Sequence, residues 1–177
     1  MVRKIVMLAV AMAAVAGVRA QIGYKGQLLL EAGAGLTHVE GVAGTVRLGG
    51  FLSEHSLLGV GVMYDRTTYD ATQDDSFATS QWFGELHYRY ALPLNRFILM
   101  PGGGLLLGAE RCDALSKQGN LLPYGNQFVY GVSAGVSAEY ILGRHWALAV
   151  EPRLCYLIRT HFDNLKLSAN VGIKYYF

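Results

Sequence analysis

"SANVGIKYYF", residues 168–177, alternates apolar and polar positions as far as its final residue. Val171, Ile173, Tyr175 and Phe177 share one face, and chain ends that sit in water rarely carry such a row, so the face needs an apolar surrounding. Read backwards, the pattern continues: Leu165, Leu167 and Ala169 join that face, while Asn164, Lys166, Ser168, Asn170, Gly172, Lys174 and Tyr176 form the other. A helix would gather Lys166, Asn170 and Lys174 into a stripe. The β-branched residues, Gly172 and the aromatics at the end favour a strand.

The same period of two recurs upstream. In QFVYGVSAGVSAEY (127–140), Phe128, Tyr130, Val132, Ala134, Val136, Ala138 and Tyr140 alternate with Val129, Gly131, Ser133, Gly135, Ser137 and Glu139. Aromatics at both ends of a band of small aliphatics match the interfacial girdles of a lipid-facing strand. In WALAVEPRLCY (146–156), Trp146, Leu148, Val150, Leu154 and Tyr156 oppose Glu151, Arg153 and Cys155, and Pro152, which has no N–H for the ladder, predicts a bulge. Five further segments, 27–36, 42–52, 57–69, 80–92 and 97–110, bring the total with 127–141, 146–157 and 164–177 to eight. The expected fold is all-β: an eight-stranded antiparallel up-and-down transmembrane β-barrel. Short links at 53–56, 93–96 and 142–145 alternate with longer ones at 70–79 and 111–126, which places the short turns in the periplasm and the longer loops outside.

Residues 1–20 give the compartment. Arg3 and Lys4 precede the uncharged run Ile5 to Val15, and Val18 and Ala20 set small residues before Gln21, the pattern of a signal peptide cleaved after Ala20. Arg19 interrupts the apolar run before the roughly 20 residues that a membrane anchor needs. Residues 21–177 then form one barrel domain in the bacterial outer membrane, surrounded by its lipid. The composition agrees: 52% hydrophobic residues are too many for a disordered exported chain, and a net charge of +2 without a basic patch argues against gripping nucleic acid directly. In barrels of this kind the closing strand commonly ends in an aromatic read by the barrel assembly machinery, and Tyr175 and Phe177 resemble that signal.

An eight-stranded barrel has room for side chains and little else. The inward register carries Arg47, Asp65, Glu85, His87, Arg89, Glu139, Glu151, Arg153, Lys166 and Lys174. Charges in so narrow a space are costly unless paired, so Arg47, Glu85, Arg89, Glu139, Glu151, Arg153 and Lys174 are expected to form a structural network that plugs the lumen. The glycine-rich strings at 32–36 and 101–108 do not open a helix and are not phosphate loops. The five histidines lack metal-ligand spacing, so no cofactor, metal or catalytic residue is expected. Should the barrel nevertheless be an enzyme, His161 with Asp163 and Thr160 in the last outer link is the best candidate. Cys112 and Cys155 are the only cysteines, in an oxidising compartment, and a disulfide between them would pin the 111–126 loop to the barrel mouth.

The run RFILMPGGGLLLGAE, the element LLPYGNQ, then FVYGVSAGVSAEYIL, GRHWALAVEPRLCYLI and SANVGIKYYF resemble the TraO family of conjugal transfer proteins of Bacteroides-type conjugative transposons. The resemblance covers residues 96–177, with Gln127 where the family has a basic residue. It implies an outer-membrane component of a mating apparatus, in contact with other conjugation proteins and without catalytic residues. The alternative is a generic porin-like small surface barrel.

Overall fold

The computed structural model describes residues 23–38, 40–72, 75–112 and 125–177. The strands are β1 (Leu28–Thr37), β2 (Gly41–Phe51), β3 (Ser56–Thr72), β4 (Asp75–Tyr90), β5 (Leu92–Leu94), β6 (Phe97–Cys112), β7 (Gln127–Ile141), β8 (Trp146–Leu157) and β9 (Leu165–Tyr176). All pairings are antiparallel, β4 also pairs with β6, and β1 pairs with β9, so the sheet closes on itself. β5 continues β4 in an unchanged register against β6. The short break between them faces Met100 and Pro101, and Pro101 has no N–H to offer; Ala91 instead donates to the His55 carbonyl on the other side. β4 and β5 are therefore one stave, and the barrel has eight.

Closure fixes the stagger. Paired residues followed once around the barrel, from Tyr176 through Leu29, Gly49, Gly59, His87, Gly104, Ser133 and Cys155, return to β9 at Lys166, ten residues before the start. With strands about 4.8 Å apart and a rise of about 3.3 Å per residue, this stagger tilts the staves by roughly 40°.

The wall is sided as the alternation requires. Val62, Leu107, Leu148 and Val171 point outward and are exposed, Val171 and Leu107 each to 60%. So broad an apolar surface is stable only against lipid. Trp82, Phe128, Tyr130 and Tyr156 ring its outer end, and Tyr88, Tyr90, Phe97, Trp146 and Phe177 its inner end. Aromatic side chains favour these two interfaces because a ring accepts an apolar neighbour while its polar edge reaches water.

Three expectations are corrected. The stretch 70–79 is not a loop: β3 runs to Thr72 and β4 starts at Asp75, leaving only 73–74 outside the described residues. β8 has no bulge at Pro152. The ladder with β9 runs unbroken through Pro152↔Ala169, and the ladder with β7 keeps its register, lapsing only opposite Val136 and Ser137. The inner link after β5 is the pair Asn95–Arg96, with Asn95 at φ 58°, a left-handed conformation that asparagine tolerates better than most residues. The expected signal peptide, 1–20, and most of the 111–126 loop lie outside the described residues.

Candidate functional site in the barrel lumen

The inward residues form layers along the axis. At the inner end Leu29, Phe51, Leu57, Ile98, Met100, Ile141 and Tyr176 make an apolar plug. Above it lies a charged layer, then a second apolar layer of Met63, Phe83, Leu106, Val129, Cys155 and Leu157. The outer mouth is polar again. The stave of β4 and β5 passes through every layer, as Phe77, Thr79, Gln81, Phe83, Glu85, His87, Arg89 and Ala91.

The charged layer is centred on Arg47 of β2. Its guanidinium donates to Glu31 of β1 at 2.6 Å, Glu85 of β4 at 2.9 Å and Glu151 of β8 at 2.9 Å. Arg89 donates to Glu31 at 2.7 Å and to Glu151 at 2.8 Å. Arg153 donates to Glu85 and to the Ser133 hydroxyl. On the inner side Lys174 links Glu31 at 3.1 Å to Glu139 and donates to Ser137 at 2.9 Å, while the Tyr176 hydroxyl donates to Glu139. Four cations (Arg47, Arg89, Arg153 and Lys174) thus meet four carboxylates (Glu31, Glu85, Glu139 and Glu151), and all eight are buried. Burying so many charges is tolerable only because each meets an opposite charge within hydrogen-bond reach.

Glycine makes the space. A Cβ on Gly61 of β3 would lie 2.5 Å from Arg47 Cγ, and one on Gly102 of β6 would lie 2.7 Å from Arg89 Cγ. β3 and β6 thus give up side-chain volume where the neighbouring staves carry arginine. A pocket with room for about one water remains between Glu85, His87, Ser133, Ser137 and Glu151.

The seven network residues expected from the sequence all lie in this layer. Asp65 and Lys166 do not; they pair with each other at 3.2 Å in the outer mouth, where Lys166 also donates to Gln81 at 2.7 Å. Sequence reasoning missed Glu31, the hinge between Arg47, Arg89 and Lys174, although it is the one charge on the inward face of LLLEAGAGL. It also missed Glu110 of β6. That buried carboxylate accepts bonds from Gln81 at 2.5 Å, Gln127 at 2.9 Å, the Thr160 hydroxyl at 2.6 Å and the backbone N–H of His161 at 3.2 Å. It holds the 158–164 link over the mouth, where Phe162 packs on Tyr69 and Phe77 with ring centroids 4.7 and 5.5 Å away.

The enzyme candidate is arranged differently from the sequence expectation. His161 Nδ1 faces Glu110 at 3.4 Å rather than Asp163, and the Thr160 hydroxyl is aimed at the same carboxylate instead of at the imidazole. Both groups converge on Glu110 and not on each other, so the His161, Asp163 and Thr160 grouping is replaced by one centred on that carboxylate. The disulfide is not formed: Cys112 and Cys155 are buried thiols not bonded to each other. They stand on β6 and β8, with β7 between, and two strand spacings of roughly 10 Å exceed the reach of a disulfide.

Closure, apolar belt, aromatic girdles and a filled lumen define a small β-barrel of the bacterial outer membrane. Solved structures of that class share its fold. A major outer membrane protein of Thermus thermophilus matches with TM-score 0.64 at 16% identity, over 87% of this chain and 100% of that one. Ail, the attachment invasion locus protein of Yersinia pestis, solved with the heparin analogue sucrose octasulfate, matches with TM-score 0.57 at 10% identity, over 86% of this chain and 99% of that one. OprG of Pseudomonas aeruginosa matches with TM-score 0.55 at 11% identity, over 89% and 99%. No family model and no curated protein matches the sequence.

Proposed function

We propose that this protein is a non-conducting small outer-membrane barrel that works at the cell surface through its outer mouth and the links around it. The observation that carries this reading is the neutral, fully bridged layer of Arg47, Arg89, Arg153 and Lys174 with Glu31, Glu85, Glu139 and Glu151, sealed below by an apolar plug. An ion crossing it would have to displace bonded charges from most of the staves. Purified protein inserted into planar bilayers is expected to give no steady conductance, and a stable open channel in the wild type would overturn the reading.

A narrower role, as an interaction component of a mating apparatus beside other conjugation proteins, rests on the resemblance of residues 96–177 to TraO. Transfer frequency from a donor with an in-frame deletion tests it: loss restored by the intact gene supports it, and normal transfer removes it. Tyr175 and Phe177 serve in this proposal as the assembly signal. Their rings meet edge to face with centroids 4.9 Å apart, and Tyr175 also packs on Trp146 at 4.7 Å. Replacing both with alanine is expected to slow insertion in cells more than it lowers the unfolding midpoint of the refolded barrel.

A further inference from the structure

We propose that the outward wall at the outer end of β3, β4 and β6 binds the phosphate group of an outer-leaflet lipid. Arg66, Ser80 and Arg111 are consecutive partners across these three staves: Arg66 pairs with Ser80, and Ser80 with Arg111. Both arginines are exposed. The row two residues toward the inner side, Tyr64, Trp82 and Ala109, belongs to the outer aromatic girdle, where Tyr64 and Trp82 pack with centroids 4.5 Å apart. The Tyr64 and Ser80 hydroxyls lie 3.3 Å from each other. Two guanidinium groups and two hydroxyls therefore stand on the wall just above the apolar belt.

These arginines differ from every arginine of the lumen. Arg47, Arg89 and Arg153 each meet a carboxylate, whereas Arg66 and Arg111 have no ion-pair partner among the described residues. At this depth the medium beside the wall is the headgroup zone, whose anions are lipid phosphates. The two Cα positions are separated by two strand spacings, roughly 10 Å, so two extended side chains can close on one phosphate between them. Guanidinium groups favour that geometry because their N–H donors pair with phosphate oxygens two at a time. Ser80 supplies a further donor at the centre.

The test uses the full barrel in detergent micelles, with diphosphorylated lipid A as probe, its dephosphorylated form as control and sodium phosphate as competitor. Wild type is expected to bind the phosphorylated lipid at least roughly tenfold more tightly than the R66Q/R111Q double variant, and to bind the dephosphorylated form no better than that variant does. R159Q, which removes an exposed arginine from the last outer link, is expected to match wild type. Folding of each variant is checked by its heat-dependent gel mobility; should the double variant not fold, R66Q and R111Q singly are each expected to lose part of the affinity. Unchanged affinity without the two arginines, an equal loss in R159Q, or indifference to dephosphorylation would overturn the site. Displacement of the lipid by an equal concentration of sodium phosphate would assign it to free phosphate instead and overturn the lipid reading.

Discussion

The charged layer in mid-barrel and the polar mouth above it are built from similar residues but tie different things together. In mid-barrel the partners of Arg47 come from β1, β4 and β8, so its bonds hold staves across the lumen. At the mouth the carboxylate of Glu110 is met by neutral donors, two amides, a hydroxyl and a backbone N–H, and two of these belong to the 158–164 link. Charge against charge braces the barrel, whereas charge against neutral donors seats a loop. Losing one partner should therefore be global at Arg47 and local at Glu110.

Arg47→Met should have the largest effect. It leaves Glu31, Glu85 and Glu151 short of a buried cation, and removing one partner of such a network costs about 3–5 kcal/mol. The urea midpoint of the refolded barrel in detergent is expected to fall with no change confined to the loop. Gly61→Val attacks the same layer by volume, because a Cβ there lies 2.5 Å from Arg47 Cγ. About 1–3 kcal/mol is expected from overpacking. If Gly61→Val unfolded at the wild-type midpoint, the charged layer would be looser than its bond lengths indicate.

Glu110→Gln should act locally. One amide oxygen cannot accept what two carboxylate oxygens do, and about 1–2 kcal/mol is expected. Hydrogen exchange should rise in 158–164 while amides of β8 and β9 stay protected. Equal loss of protection throughout the barrel would erase the distinction between the layers. Thr160→Val is the mildest, removing a single donor at 2.6 Å for about 1 kcal/mol, read as faster proteolysis of that link.

The staves and their sides were legible because lipid imposes the alternation: every second residue from Leu165 to Phe177 and from Phe128 to Tyr140 must be apolar. The failures fall where that pressure ends. Beyond the outer girdle lipid no longer imposes the alternation, the period of two fades, and the stretch from 70 to 79 reads as a loop although backbone pairing continues. All members of the charged layer but Glu31 were also read from the sequence, since inward polar residues stand out on an otherwise apolar strand. Who pairs with whom was not. That depends on the ten-residue stagger, which is a property of the closed sheet and of no single segment, and it carries Asp65 and Lys166 up to the mouth while setting Arg47 beside Glu151.

The seam between β1 and β9 joins the two ends of the described sheet, and its consequence is one of timing. Arg47 can meet Glu31 as soon as the first hairpin forms, for they are 16 residues apart, but its partner Glu151 is 104 residues away, and Lys174 reaches Glu31 only across the seam itself. Until the last staves arrive the sheet has two open edges, and Glu31 and Arg47 lack the partners that β8 and β9 bring, an arrangement that hydrocarbon does not tolerate. The network in the lumen is thus finished only when the ring closes, and the bonds that cross the seam are the last to form.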